Sequence, residues 1–265
     1  MLAALIRRSF QRARGLLLSL GGVLVVFQVL VVIAAVYLEE EGGFLQLVAL
    51  LPPVVQQMAG AVFASFGSMV AFGYFHPVVI IVFVGLAIVI AAEPAADVES
   101  GVVDLVLARP VRRWHLVTRS VLMTAATTVA IGALMVAASK LTIAMAGPTG
   151  TRVPLAVLVK LASNLVALAW ALGALALALS AFARRRTTAA GAAGIIALAL
   201  YLFTFLAGLW PRLKPYGPLS PFHYYQPTTI VSGLGTRWSA DVAILLVAAA
   251  VLSLVAFIVF ARRDL

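Results

Sequence analysis

The sequence predicts an all-α integral membrane protein with six transmembrane helices, read as a single transmembrane domain over residues 1–265. Two observations carry that prediction, and the distribution of charge supplies a third. Of the 265 residues, 64% are hydrophobic and the mean hydropathy is +1.13, whereas a soluble domain is usually about 45–50% apolar. The apolar residues collect in six runs, each close to or above the ~20 residues that a helix needs to cross the hydrocarbon core. No polar stretch between them is long enough to fold as a domain of its own. The absence of cysteine excludes disulfides and thiolate metal sites.

The runs place spans near residues 16–37, 70–93, 116–146, 154–181, 189–210 and 240–261. The third and fourth are long enough to tilt or to project from the bilayer. The first follows four arginines, a pattern shared with secretory signal peptides. Its apolar run exceeds twenty residues, too long for an h-region of about 7–15, so it reads as a retained span.

Charge sets the orientation. Arg7, Arg8, Arg12 and Arg14 precede span one, Arg109, Arg112, Arg113 and Arg119 surround the second connection, Arg184, Arg185 and Arg186 separate spans four and five, and Arg262 and Arg263 follow span six. With six alternating crossings all thirteen fall on one side, which the positive-inside rule makes cytoplasmic, termini included. The other side receives Glu39, Glu40, Glu41, Arg152, Arg212, Lys214, Arg237 and Asp241. Topology therefore accounts for most of the net charge of +10, and a nucleic-acid partner is not expected.

Between the spans, three segments are more than simple loops. Residues 1–15, MLAALIRRSFQRARG, put Leu2, Leu5, Ile6, Phe10 and Ala13 on one helical face and arginines on the other, the pattern of an interfacial helix lying flat on anionic headgroups. The first outer segment, EEEGGFLQLVALLPPVVQQMAGAVFASFG, is too polar to span and too apolar to be solvated; it reads as a short interfacial helix or helix pair broken at Pro52-Pro53. The second, WPRLKPYGPLSPFHYYQPTTIVSGLGTRW, is rich in Pro, Gly and the aromatics that favour the membrane–water boundary. Both outer segments are expected to lie on the surface or dip into it, as a lid over the spans.

Chemistry-bearing motifs are scarce. His76, His115 and His223 are far apart in the sequence and fall on different sides of the predicted bilayer, so they do not make one metal site. There is no P-loop, H-E-x-x-H, G-x-S-x-G or dinucleotide fingerprint. No acid lies mid-span, which disfavours an ion-coupled carrier, because such carriers hold their ion on a central carboxylate. Lys140 and Lys160 lie in the outer halves of spans three and four. They either snorkel to the interface or form a basic pocket for an anionic substrate or lipid. Gly21-Gly22 in span one and Gly191 and Gly194 in AAGAAG mark faces where helices can approach closely, within one subunit or between two.

The stretch between spans two and three, ESGVVDLVLARPVRRW, is the most informative. Span two ends at Glu93-Pro94, and AADVESG reads as a turn-like acidic link. VVDLVLA then predicts two turns of helix, with Asp97 or Ser100 as the N-cap and Pro110 as the stop. Val102, Leu105 and Val106 make one face and Val103 and Leu107 lie off it, so that only Asp104 is polar between Val102 and Ala108. A helix apolar nearly all round must be covered on more than one side. The membrane can cover one, and a protein must cover another.

Glu99-x-Gly101, the hydrophobic turn, Leu107-x-Arg109-Pro110 and Arg112/Arg113 resemble the cytoplasmic signature of type-2 ABC exporter permeases. In that family an acid and a nearby Gly precede "LL-x-x-P" and an Arg. The basic N-terminal segment, His76-Pro77 and the Ser220-Pro221-Phe222-His223-Tyr224-Tyr225 run agree with it. Glu93 and Glu99 compete for the acidic position, with Glu99 favoured by its spacing to Gly101 and Pro110. The resemblance implies a homodimer in a bacterial or archaeal cytoplasmic membrane, each copy docked on a separate ATPase subunit that binds ATP and Mg. This chain would bind no cofactor and catalyse nothing. Residues 1–15 would be the elbow helix. The segment around 98–109 would be the coupling helix, with Glu99, Gly101, Val102, Asp104, Leu105, Val106, Arg109, Pro110 and Arg113 as the coupling residues. The interior suggests a hydrophobic or amphipathic cargo such as a drug, peptide antibiotic or lipid. The alternatives are a membrane-embedded enzyme or assembly factor without an ATPase, and an ATP-driven mechanical or lipid-extracting device.

Overall fold

The computed structural model describes residues 2–40, 65–103, 113–146, 153–233 and 237–262. Among these there is no strand, and six helical stretches are long and apolar enough to cross a membrane. They are α1 (Leu2–Glu40), the pair α2 (Phe66–Phe75) and α3 (Pro77–Ala91), α5 (Trp114–Met145), α6 (Leu155–Phe182), α7 (Arg186–Leu209) and α9 (Trp238–Arg262). The short α4 (Glu93–Glu99) follows α3, and α8 (Pro227–Ser232) precedes α9. Apart from the N-terminal end of α1, which begins fourteen residues before the first apolar run, the six stretches begin and end within four residues of the runs.

α6 is the hub. It packs against α9, α3, α5 and α7 and is the most enclosed of the six stretches. Its composition explains this. Ala162, Ala167, Ala169, Ala171, Gly173, Ala174, Ala176 and Ala178 are all buried, and small side chains let neighbouring backbones close in where lipid offers no hydrophobic drive for association. α7 and α9 lie at the periphery. α7 buries only Ala189, Ala193, Ala197 and Ala207 and turns Ile195, Leu198, Leu202 and Phe205 outward.

α1 corrects the expectation of a separate helix at residues 1–15. One uninterrupted helix of 39 residues runs from Leu2 to Glu40, about 58 Å long at 1.5 Å per residue. It contains no proline to break it, and a Cβ added at Gly15 would meet nothing, so this glycine marks no close packing. The basic segment also turns a different face inward. Leu5 and Ser9 are buried while Phe10 is exposed, continuing the buried row of Gly21, Leu24, Gln28, Val31 and Ala35.

Span two is broken once. His76 takes an extended conformation (ψ 132°), as residues before proline do, and its Nδ1 accepts the Val78 N–H at 3.3 Å. Pro77 then opens α3 at the position where a missing N–H costs nothing.

The link AADVESG is also not a turn. Residues 93–99 are helix α4, opened by Pro94 near its start and closed by Ser100. Ser100 is therefore a C-cap, its hydroxyl donating to the Ala96 carbonyl at 2.8 Å, and Asp97 lies inside the helix. Neither is the N-cap of a following helix. Gly101 comes next at φ +66°, a left-handed conformation that glycine adopts at little steric cost.

The short interfacial helix or helix pair expected around Pro52-Pro53 falls mostly outside the described residues. Of the second outer segment, Lys214–Leu219 and Pro221–Tyr224 are 3₁₀ turns. They form a strap sewn to the bundle. Thr204 Oγ donates to Ser220 Oγ at 2.7 Å and Ser220 Oγ to the Leu200 carbonyl at 3.0 Å. Asn164 on α6 donates to the Tyr224 carbonyl at 3.0 Å and accepts the Gln226 N–H at 3.2 Å. The Tyr225 hydroxyl donates to the Tyr74 carbonyl at 3.0 Å. Burial, with Tyr74 as a lesser cause, pushes the Tyr225 phenol above its usual pKa, so it remains a donor at neutral pH.

Candidate functional site

The strongest concentration of charge lies where α4 meets the ends of α1, α5 and α7. Arg119 stands about one and a half turns inside α5, on the same face as Leu116 and Met123, and is 1% exposed. Its Nη1 is 2.8 Å from Asp97 Oδ2 and its Nε 3.5 Å from Glu93 Oε2. Arg12 of α1 reaches the other oxygen of Asp97 at 3.4 Å. A buried arginine without partners would be prohibitive in a membrane protein. Here two carboxylates from one face of α4 compensate it.

A third arginine ties α4 to α7. The backbone N–H of Arg186, the first residue of α7, donates to Glu99 Oε2 at 2.9 Å. This is a carboxylate at a helix N-terminus, where unpaired N–H groups and the helix dipole favour negative charge. The Arg186 guanidinium donates to the Val89 carbonyl of α3 at 2.9 Å. Glu99→Ala should therefore cost about 0.5–1 kcal/mol, seen as a fall of a few degrees in the melting temperature of the purified protein, whereas Glu99→Gln, which keeps an acceptor oxygen, should cost less.

The six charged groups sum to zero, three carboxylates (Glu93, Asp97, Glu99) against three guanidinium groups (Arg12, Arg119, Arg186). Three of them, Arg12, Glu93 and Arg186, line a cavity of about 460 Å³ together with Ser9. No nucleophile–base pair and no cluster of metal-ligating side chains occurs among the described residues. What this arrangement does is mechanical. The polar links join α1, α5 and α7 to α4 or to the end of α3, so α4 cannot tilt without straining all three.

The expected site residues separate into groups. Glu99 is exposed and caps α7, Gly101 sits at the left-handed turn, and Val102 and the buried Val103 begin the next helical turn. Arg113 is the residue before α5. Asp104, Leu105, Val106, Arg109 and Pro110 lie outside the described residues. Of the two competing acids, Glu93 faces Arg119 and Glu99 faces α7. Lys140 and Lys160 are remote from this cluster. Lys160 Nζ stands 5.6 Å from the centre of a Trp238 ring, and Lys140 lines a groove between α5, α6 and α9.

The Asp97–Arg119 pair was missed in the sequence because Arg119 was read only as a topology marker. The available signal was its position, an arginine at i+3 from Leu116 and i−4 from Met123, on the apolar face of a span. Gln28 was missed likewise. Its Nε2 donates to Ser139 Oγ at 2.9 Å, to which the Tyr74 hydroxyl is also hydrogen-bonded at 3.1 Å.

Comparison with curated proteins finds no match. Comparison with family models finds one that covers residues 12–265, described as "ABC-2 family transporter protein". That match takes in the charge cluster, the strap and all six spans apart from the first residues of α1, and the chain accordingly belongs to the ABC-2 transporter family, as a multi-pass membrane subunit of the transport type rather than a catalytic one.

Proposed function

We propose that this chain is the permease subunit of an exporter in a bacterial or archaeal cytoplasmic membrane, with both termini cytoplasmic. Two copies pair, and each takes a separate ATPase under residues 99–113. That ATPase binds ATP and Mg, and its closure moves α4. The family normally pairs with such an ATPase.

The observation that carries this reading is the fastening of α4. The chain leaves it through Gly101 at φ +66° toward the apolar segment 104–108. A push on that segment reaches a helix already linked to α1 and α5 by ion pairs and to α7 by a capping bond. Force is then conveyed to the spans rather than absorbed by a loose loop. The thirteen basic residues on the α4 side support the orientation. Pairing is supported by the face of α3 and α7, which leave a groove of about 370 Å³ between them, with Gly85 and Gly194 both lining it. The groove walls are apolar, which suits a hydrophobic or amphipathic cargo.

Co-expression with the ATPase encoded nearest to it tests the reading. A tagged chain should bring the ATPase down through purification, and Leu105→Arg should abolish this. Gly101→Val places a β-branched residue at a left-handed turn, at a cost of about 1–2 kcal/mol. It should lower substrate-stimulated ATP hydrolysis in proteoliposomes about tenfold while leaving membrane insertion intact. If the ATPase never co-purifies and both variants behave as wild type, the chain works without an ATPase.

A further inference from the structure

On the far side of the bilayer from the charge cluster, α5, α6 and α9 leave a groove of about 740 Å³, within the usual range for a ligand site. Its depth comes from small residues where the helices meet. Gly132, Ala137 and Ala162 line it, and Trp170 and Leu246 form part of its walls. A Cβ at Gly132 would come within 2.8 Å of Val166, so the approach of α5 to α6 that forms the groove is close to its limit.

Two distances set its register in the membrane. Lys140, the only charged residue lining the groove, lies 21 positions after Arg119 on the same helix. At 1.5 Å per residue that is about 31 Å, the thickness of a hydrocarbon core. Val129, which also lines the groove, is 10 positions after Arg119, about 15 Å and hence near the midplane. The groove therefore runs through one leaflet, from midplane to interface, with an ammonium group at its interfacial end. Lys140 has no ion pair or hydrogen bond among the described residues. The nearest acid on α9, Asp241, faces Arg237 and His223 instead.

From this geometry we infer that the groove is a binding site for one anionic phospholipid of the leaflet opposite the termini, with an acyl chain along α5 and α6 and the headgroup phosphate on Lys140. An apolar channel one leaflet long with a lone cation at its interfacial end matches a lipid whose tail and phosphate are covalently joined. It does not match a free anion, which would have no use for the apolar wall. A basic side chain at an anionic headgroup carries a preference of about fivefold. Lys160 is set apart from this role by its place over Trp238. The inference does not depend on ATPase coupling, so it can fail or stand independently of the proposed function.

The test counts lipids retained by the purified protein, with its ATPase if the two isolate together, in native mass spectrometry. The probes are phosphatidylglycerol and phosphatidylcholine of identical acyl chains. Ala133, exposed in the groove wall, defines the site, because Ala133→Trp fills the groove and should displace one lipid of either kind. For that lipid the wild type should favour phosphatidylglycerol about fivefold. Lys140→Gln should abolish the preference and Lys140→Arg should keep it. An unchanged lipid count in Ala133→Trp, or an unchanged preference in Lys140→Gln, overturns the inference. The sequence has no cysteine, so Ala133→Cys gives a unique thiol. Oxidative cross-linking of two chains through it would show that a second copy covers the groove, and would overturn the inference as well.

Discussion

Arg119→Met should be the most damaging single change in the described structure. It leaves Asp97, 1% exposed, and Glu93, 7% exposed, without the guanidinium group that neutralises them. Arg12 alone remains, 3.4 Å from Asp97 on a half-exposed side chain. Removing one partner of a buried pair typically costs about 3–5 kcal/mol, far more than the pair itself contributes, because the remaining charge is uncompensated. The expected result is a fall in melting temperature on the order of 10 °C or a protein that is not recovered from the membrane. The compensating experiment separates the charge effect from a packing defect. Asp97→Leu and Glu93→Gln added to Arg119→Met remove the uncompensated charges, and most of the loss should return. If the triple variant is as unstable as Arg119→Met, the ion pairs are not the reason for the defect. The rescued protein then gives a second readout. If α4 couples to an ATPase as proposed, this variant should fold and insert normally yet show reduced ATP-driven transport, since α4 and α5 would no longer share a polar link.

That cluster also shows what a single sequence can and cannot disclose. The six spans were legible because a bilayer imposes a length and a composition on every crossing, and both are local properties of the chain. Asp97 and Arg119 are 22 positions apart, with a proline and a glycine between them, and nothing local makes them neighbours. The short helix α4 was misread as a turn because its acids and small residues look solvated. Pro94 was the sign to the contrary, since proline near the start of a helix is favourable. The basic segment at residues 1–15 reads as a separate interfacial helix because an arginine face usually seeks headgroups. Arg12 spends its charge on Asp97 instead, and the helix runs on without a break. The strap at Ser220–Tyr225 carried recognisable residues, but its bonds to Leu200, Asn164 and Tyr74 are long-range choices that composition does not specify.

The second large effect is expected at Gly73, where α2 crosses α1. Gln28 is fully buried, and its Nε2 donates both to the Val70 carbonyl at 3.3 Å and to Ser139 Oγ at 2.9 Å. A Cβ at Gly73 would overlap Gln28 Oε1. The absence of a side chain at residue 73 is thus what allows an amide to lie flat between three helices. Gly73→Leu forces a choice between displacing α2 and expelling Gln28 from its bonds. Overpacking costs about 1–3 kcal/mol, and each interhelical hydrogen bond lost in a membrane adds about 0.6 kcal/mol, so a loss of about 2–4 kcal/mol is expected in reversible unfolding. Gln28→Ala alone should cost less, because it leaves a gap without a clash. The two changes should not add. With Gln28 shortened to Ala, the space it vacates can receive part of the leucine, and the double variant should be more stable than Gly73→Leu alone. Additivity within about 0.5 kcal/mol, as found for independent sites, would mean that the two residues do not share this space. The coupling also locates the effect. Tyr74 follows Gly73 directly, and its hydroxyl shares Ser139 with Gln28 while its carbonyl receives the Tyr225 hydroxyl. A shift of α2 at residue 73 should therefore loosen the strap as well, and faster hydrogen exchange at Tyr225 and Gln226 in Gly73→Leu, restored in the double variant, is the local signature that mere destabilisation of the bundle would not produce.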